Sequence, residues 1–400
     1  MHPECTETQR NEWEKQKKKL LEEIYESKNP AYMNNAISAL AVLAIQNNEL
    51  DRAETLDGVQ RVSKATYDKR NIRAVPQKDD IIFAREAPAG NAAIIRAGQE
   101  VCLGQRTVLI RPDKKKVCPQ FLAYYILAPK QQYELLGTAN GATVAHVNIP
   151  IIRNMPVNLP KIEIQERIAE ILSSYDDLIE NNKKQIKLLE EAAERLYREW
   201  FVDLHFPRYE NTEIIDGVPE GWKRKRLVDI ADIQYGYAFD GSKFNDMKKG
   251  IPIVRIRNIP AGITSDYTTE ETEEKYLIGN GDIIVGMDGE FHINSWSGDN
   301  AYLVQRTCCF RPKKKEMQGW LLWAIRKPIK YYEKTIVGAT VSHLGKKHID
   351  AIDLLVGPDE LYVPFQNYFD KRQSLLNQNV LLLEARDRLL PRLMSGEVEV

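Results

Sequence analysis

Arginine, lysine, threonine and histidine recur at matched places along this chain, and side chains of these types suit contact with phosphates and base edges. Gln105-Arg106-Thr107 returns as Gln305-Arg306-Thr307. Arg111-Pro112 with Lys114-Lys115-Lys116 returns as Arg311-Pro312 with Lys313-Lys314-Lys315. Gly141-Ala142-Thr143-Val144-Ala145-His146 returns as Gly338-Ala339-Thr340-Val341-Ser342-His343, and Asp80-Ile81-Ile82 returns as Asp282-Ile283-Ile284. Four ordered matches, each displaced by roughly 200 residues, mark two diverged copies of a whole module, because solenoid units repeat every 20–50 residues or so.

The candidate contacts are Arg106, Lys114, Lys115, Thr143 and His146 in the first copy, with Arg306, Lys313, Lys314, Thr340, Ser342 and His343 in the second. Arg255, Arg257 and Asn258 join them, since Arg and Asn are the bidentate readers of guanine and adenine edges. Each has a plainer reading. A lysine triplet is commonly a solvated turn. The Gly-Ala-Thr-Val-x-His run could be a connector whose Thr caps the next element. Arg255 and its neighbours could merely flank a strand. Tyr235, Tyr237 and Phe239 suit a DNA face and a core equally well.

Catalysis finds no support in these motifs. No Ser, Cys or Asp lies at a repeated distance from the histidines to complete a nucleophilic set. There is no GxxxxGK[ST] loop, no GxGxxG after a strand, no Asn/Asp-Pro-Pro-aromatic tetrad and no Pro-Asp…Glu-x-Lys nuclease core. No catalytic residue, metal site or cofactor is therefore expected in this chain.

The elements that must position these residues change in texture along each copy. Short strand-like runs come first: Asp80–Arg85, Thr107–Arg111, Ile251–Arg257 and Asp282–Met287, bounded by Gly, Pro and Asn. An aromatic helical stretch follows, Phe121–Leu127 or Trp320–Ile329. Each copy then closes on a long charged helix. In the first, Ile168, Leu172, Tyr175, Ile179, Asn182, Ile186, Leu189, Ala193, Leu196 and Trp200 alternate at spacings of four and three. The second repeats the pattern less purely through Phe365, Phe369, Arg372, Leu376, Asn379, Leu383, Arg386, Leu390 and Leu393, with a stop or kink expected at Pro391. Asn182 and Asn379 share one seam position. A polar residue there costs stability and fixes register, so the two helices are expected to pair with these Asn residues setting their alignment. Two separate helices, each docked on its own domain, are the competing arrangement.

Composition limits the remaining classes. The chain has 400 residues, 43% hydrophobic and 28% charged, which suits two or three globular domains. Lys and Arg number 56 against 57 Asp and Glu, so overall charge neither advertises nor excludes a nucleic-acid partner. The longest apolar run, around Ala36–Ile45, is well short of the roughly 20 residues that a membrane span needs. No basic stretch leads into an apolar one at the N-terminus. Five cysteines without metal-ligand spacing point to reduced thiols and a cytoplasmic protein.

The ordered set of motifs resembles the specificity (S) subunits of type I restriction–modification systems. Gly221-Trp222 leading through Leu227 and Ile230-Ala231 to Tyr235-Gly236 looks like the opening of that family's target recognition domain. Pro252–Ile259, Gly281–Ile284, Gly338–His343, the Pro160…Ile164–Ile168 helix start and the close Leu393–Glu397 also match, so that the resemblance covers about residues 60–400. It implies an α+β fold of two strand-rich target recognition domains. Each is followed by a long helix, the helices pair as an antiparallel coiled coil, and the whole is a pseudo-two-fold internal duplication. The boundaries expected are 1–55 for an atypical helical segment, 56–160 and 207–358 for the recognition domains, and 161–206 and 359–400 for the conserved helices.

That family implies a non-catalytic reader of a bipartite duplex DNA target. Its helices act as a ruler. About 40 residues at 1.5 Å give about 60 Å, on the order of 17 base pairs. They also dock two methyltransferase (M) subunits, which bind S-adenosylmethionine, and restriction (R) subunits, which use ATP and Mg. The first copy departs from the pattern. No Gly-Trp precedes it, and residues 34–56 resemble one helical-hairpin repeat, so its recognition domain is expected to lack or replace its opening strands. The alternative function is a coiled-coil protein-interaction scaffold, or an S-like remnant that no longer assembles.

Overall fold

The computed structural model describes residues 62–86, 89–137, 146–335 and 342–400. The expectations for residues 1–55, Thr143 and Thr340 lie outside them. The chain divides into two compact units, Met1–Asp176 with Ala385–Val400, and Asp177–Glu384.

In the first unit, β-branched and apolar runs form β1 (Ile81–Ala84), β2 (Ala92–Ile94) and β3 (Thr107–Ile110), an antiparallel sheet in the order β2-β1-β3. Ile81 and Phe83 turn inward and are buried. The Pro119–Leu127 helix packs beside them. Pro119 stands in its first turn, where the missing N–H costs nothing, and the helix stops before Pro129. Phe121, Leu122, Tyr124, Tyr125 and Ile126 are all buried, so this helix is apolar nearly all round because it lies inside the domain.

The second unit repeats this plan and enlarges it. A hairpin of β4 (Ile214–Ile215) and β5 (Val218–Pro219) leads to β6 (Lys223–Arg226) and β7 (Ala231–Tyr235). Next come β8 (Phe244–Asn245), β9 (Ile251–Val254), β10 (Tyr267–Thr268), β11 (Leu277–Ile278), β12 (Ile283–Gly286), β13 (Ile293–Ser295), β14 (Ala301–Leu303) and β15 (Thr307–Pro312). The last strand, β16 (Asp353–Val356), returns to pair with β6. The β13-β12-β15 core matches β2-β1-β3 in pairing and register: Gly286 faces Thr307 as Ala84 faces Thr107. The second unit adds β7 on the far edge of β15, and a five-stranded sheet ordered β11-β14-β9-β10-β8. No counterpart of these additions appears among the described residues of the first unit.

The repeated Asp and Arg-Pro positions explain one another. Arg111 donates from Nε to Asp80 Oδ1 (2.8 Å) and from Nη2 to Asp80 Oδ2 (2.6 Å), and Arg311 grips Asp282 with its Nη2 2.6 Å from Oδ2. Each pair ties the end of the third strand to the start of the first. Burial works against the charge of Asp80, but the Arg111 hydrogen bonds and the Gln77 N–H outweigh it and hold the carboxyl below its ordinary range. The repeated Thr is structural as well: the hydroxyl of Thr107 donates to the Gly104 carbonyl and that of Thr307 to the Val304 carbonyl.

The long helices run over Ile162–Tyr197, with one π turn continuing to Val202, and over Val363–Ser395. Within the second unit, Asn182 meets Asn379 (Nδ2 to Oδ1, 3.0 Å) and Glu190 meets Arg372 (2.6 Å). Numbers rise along one helix as they fall along the other, so the pair is antiparallel. Within the first unit the same seam carries Asp176 against Arg386 (2.7 Å), and Ile168 and Leu172 share a core with Leu390 and Leu393. Most expected seam positions are buried. Leu376 and Leu383 are only half-buried, and Leu375 turns inward instead. Pro391 does not end its helix, which runs on to Ser395 and closes at Gly396 in the left-handed region (φ 76°). So near the end, Pro391 forgoes a single backbone bond, that to the carbonyl four residues back, and the buried Leu390 and Leu393 hold the last turns in place.

Candidate nucleic-acid interface

Where β1 and β12 end, each chain segment meets the residue that follows a Gly-Ala-Thr-Val run. In the second unit the Met287 N–H donates to the Arg306 carbonyl (2.9 Å), and the Leu344 N–H donates to the Met287 carbonyl (2.7 Å). In the first, the Arg85 N–H donates to the Arg106 carbonyl (2.8 Å), and the Val147 N–H to the Arg85 carbonyl (3.0 Å). These matched backbone bonds bring residues far apart in sequence to one spot. Short antiparallel bridges then set Asp288 opposite His343 and Glu86 opposite His146.

The side chains close into the same figure twice. Asp288 places Oδ1 at 2.5 Å from His343 Nδ1, and its other oxygen takes an ion pair from Arg306. Glu86 places Oε1 at 2.5 Å from His146 Nδ1, and Oε2 lies 3.4 Å from Arg106 Nε. Each carboxylate thus bridges one histidine and one arginine. The first copy adds Arg85, whose Nη2 is 2.6 Å from His146 Nε2. A guanidinium only donates, so His146 Nε2 accepts and Nδ1 carries the proton directed at Glu86. Met287 stands at the matching place in the second copy, leaving His343 half exposed with no described partner at Nε2. Arg306 holds a left-handed backbone (φ 71°), which for a residue with a Cβ costs on the order of 1–3 kcal/mol.

The other candidates are dispersed. Lys114 Nζ is 2.6 Å from Asp79 Oδ2, Lys314 Nζ is 2.7 Å from Asp359 Oδ2, and Lys313 Nζ donates to the Val228 and Asp229 carbonyls. Lys115 is exposed. Ser342 is half-buried, and its carbonyl accepts from the Gly289 N–H (3.0 Å). Arg257 and Asn258 both donate to Asp266, which sits 9% exposed in their turn. Burial opposes the charge on Asp266, but these hydrogen bonds win and lower its pKa. Arg255 lies over the Phe244 ring, 5.6 Å from its centroid. Tyr237 and Phe239 pack with Tyr276 and Tyr302.

The sequence reading passed over Glu86, Asp288 and Arg85. Gln165, part of the helix-start motif, and Gln366, which carried no signal in the sequence, start the two long helices alike by accepting from the N–H of Cys118 (2.9 Å) and of Gly319 (3.2 Å). Glu86 and Asp288 share the displacement of Asp80 and Asp282, which was the available signal.

Two strand modules built alike, each ending in a helix of one antiparallel pair, suit comparison with known proteins. A family model described as the type I restriction modification DNA specificity domain matches residues 11–191 and again 219–378. The chain belongs to this family. It is a DNA-recognition component of type I restriction–modification systems, not an enzyme. The first match takes in most of the N-terminal stretch that lacks a Gly-Trp opening. Among its relatives, the type I restriction enzyme MjaIX specificity subunit of Methanocaldococcus jannaschii is 26% identical over 362 residues, covering 86% of this chain and 83% of that one. The HindI specificity subunit of Haemophilus influenzae is 20% identical over 400 residues, covering 80% and 87%. Among solved structures, the S subunit from M. genitalium superposes with a TM-score of 0.46 at 17% identity, covering 79% of this specificity protein and 83% of that chain. The HsdS subunit of Thermoanaerobacter tengcongensis gives 0.34 at 17% identity, covering 81% and 82%.

Proposed function

We propose that this chain reads a bipartite duplex DNA target, one half through each strand-rich unit. Arg106 and His146 serve one half; Arg306 and His343 serve the other. Thr143, Thr340 and Ser342 belong to the loops that flank the histidines, and Lys114, Lys115, Lys313 and Lys314 supply phosphate attraction around them. Arg255, Arg257 and Asn258 form a further rim in the second unit. The observation that carries this reading is the recurrence of one arginine–carboxylate–histidine figure at the same end of the same three-stranded core in both copies. Arginine and histidine donors fixed at a rim suit base edges and phosphates alike.

The two long helices, registered by Asn182 and Asn379, dock two methyltransferase subunits, which carry S-adenosylmethionine, and the restriction subunits, which carry ATP and Mg. The assembly works in the cytoplasm. No helix among the described residues is long and apolar enough to cross a membrane.

Co-expression with the methyltransferase subunit encoded beside this chain tests the proposal. The expected result is a stable complex whose adenine methylation maps to a split motif with two defined halves and a fixed gap. A motif with one defined half would show that only one unit reads DNA. No complex and no methylation, with the methyltransferase active beside another specificity subunit, would overturn the proposal in favour of a scaffold.

A further inference from the structure

We infer that Glu86 and Asp288 are positioning residues for DNA discrimination: each uses both carboxylate oxygens to fix one arginine and one histidine. The inference rests on the reading that this rim meets DNA. Asp288 is 20% exposed beneath Arg306 at 57% and His343 at 51%. Glu86 is 28% exposed, with Arg106 at 41% and His146 at 30%. In the second copy the anion is thus well inside both donors; in the first, Glu86 and His146 are about equally covered and Arg106 stands outside them. The figure survives an exchange of Asp for Glu, so what the two copies share is the bridge and not the residue.

Two physical consequences follow from that bridge. An arginine free to rotate attracts any phosphate within reach and must give up its rotamer freedom at each contact. Pairing it with a carboxylate cancels the long-range attraction and leaves directional N–H donors already ordered. A contact of that kind gains most where an acceptor sits at the right place, and little on a general phosphate surface. The carboxylate thus trades sequence-independent affinity for discrimination.

Asp288→Asn separates the two quantities, because it removes one negative charge while keeping the shape. The test uses the full chain in complex with its methyltransferase subunit. The probes are a short duplex bearing the mapped motif and the same duplex with the second unit's half scrambled. Asp288→Asn is expected to bind the scrambled duplex more tightly, with a steeper salt dependence, while the target-to-scrambled ratio falls about tenfold or more. Asp288→Glu restores the ratio, since the first copy makes the bridge with Glu. Glu86→Gln, tested against a scrambled first half, repeats the experiment in the other unit and covers a failure of Asp288→Asn to fold. Equal weakening on both duplexes, or an unchanged ratio, would reduce both carboxylates to structural parts and overturn the inference. A wild-type complex with no preference between the duplexes would defeat the DNA reading itself, a result visible before any variant is made.

Discussion

Replacing Arg386 with Met should damage the first unit more than removing its partner Asp176. The two side chains are 7% and 5% exposed, and Arg386 Nη1 is 2.7 Å from Asp176 Oδ1. Asp176 also accepts from the Tyr124 hydroxyl, at 2.5 Å from Oδ2. Without Arg386 a buried carboxylate would lose its buried cationic partner, a loss of about 3–5 kcal/mol. Arg386 has a second carboxylate to fall back on, because Nε and Nη2 also reach Asp387 Oδ1, at 3.0 and 2.8 Å. Asp176→Leu should therefore cost less, about 1–3 kcal/mol. Removing both charges as Asp176→Leu with Arg386→Met should return most of the loss, since a buried ion pair is often replaced by apolar groups at little net cost.

Hydrogen exchange at the amides of Ile168–Leu172 and Phe121–Ile126 reads this core directly. A loss of about 3 kcal/mol or more appears there as roughly hundredfold faster exchange. The described tryptophans, Trp200, Trp222, Trp296, Trp320 and Trp323, all belong to the other unit, so their fluorescence is an internal control. If Asp176→Leu proved as costly as Arg386→Met, or if the double variant were as unstable as the worse single one, the desolvation argument would be wrong.

Three further outcomes are expected. Asn182→Leu strands the buried Asn379 amide and should lower the second unit's urea midpoint by an equivalent of about 1–3 kcal/mol, while Asn182→Leu with Asn379→Leu should recover it; no rescue by the double variant would count against the pairing across the seam. Gly319→Ala drives a Cβ into the Phe365 carbonyl and should cost about 1–3 kcal/mol in a tryptophan-monitored melt, whereas wild-type stability would show that the helix starts can part freely. Asp266 has a folded pKa below its ordinary 3.8, so its contribution is complete above that value and lost as pH falls through the folded one. Asp266→Asn should be destabilised at neutral pH, with the gap to wild type closing in acid; a gap independent of pH would remove the ionic explanation.

The duplication and the seam were legible because identity and spacing survive in them. Asn182 and Asn379 could be paired by counting alone, and so could the ordered Gln-Arg-Thr and Gly-Ala-Thr-Val-x-His runs. The roles were harder to read. Arg111 and Arg311 suit phosphates as a type, but the carboxylates of Asp80 and Asp282 claim them, and only a fold that sets the third strand beside the first reveals this. The acidic bridges were hidden for a simpler reason. Glu86 and Asp288 perform one task with different side-chain lengths, so a search for identical residues steps over them. Pro391 does not stop the helix where it stands, because so near the end a missing donor matters little and Leu390 and Leu393 are already committed to a core.

The first unit is discontinuous: residues 385–400 return to it and bring Arg386, Leu390 and Leu393 to its core. On the ribosome, the domain begun first is thus the one completed last. The stretch between Asp176 and Ala385 takes on the order of 10–40 seconds to synthesise at roughly 5–20 residues per second. Throughout that interval Asp176 lacks Arg386, and Ile168 and Leu172 lack Leu390 and Leu393. Apolar surface left open for that long favours misassembly. A frameshift just after codon 384 would strike the first unit, encoded upstream, and leave the second one whole.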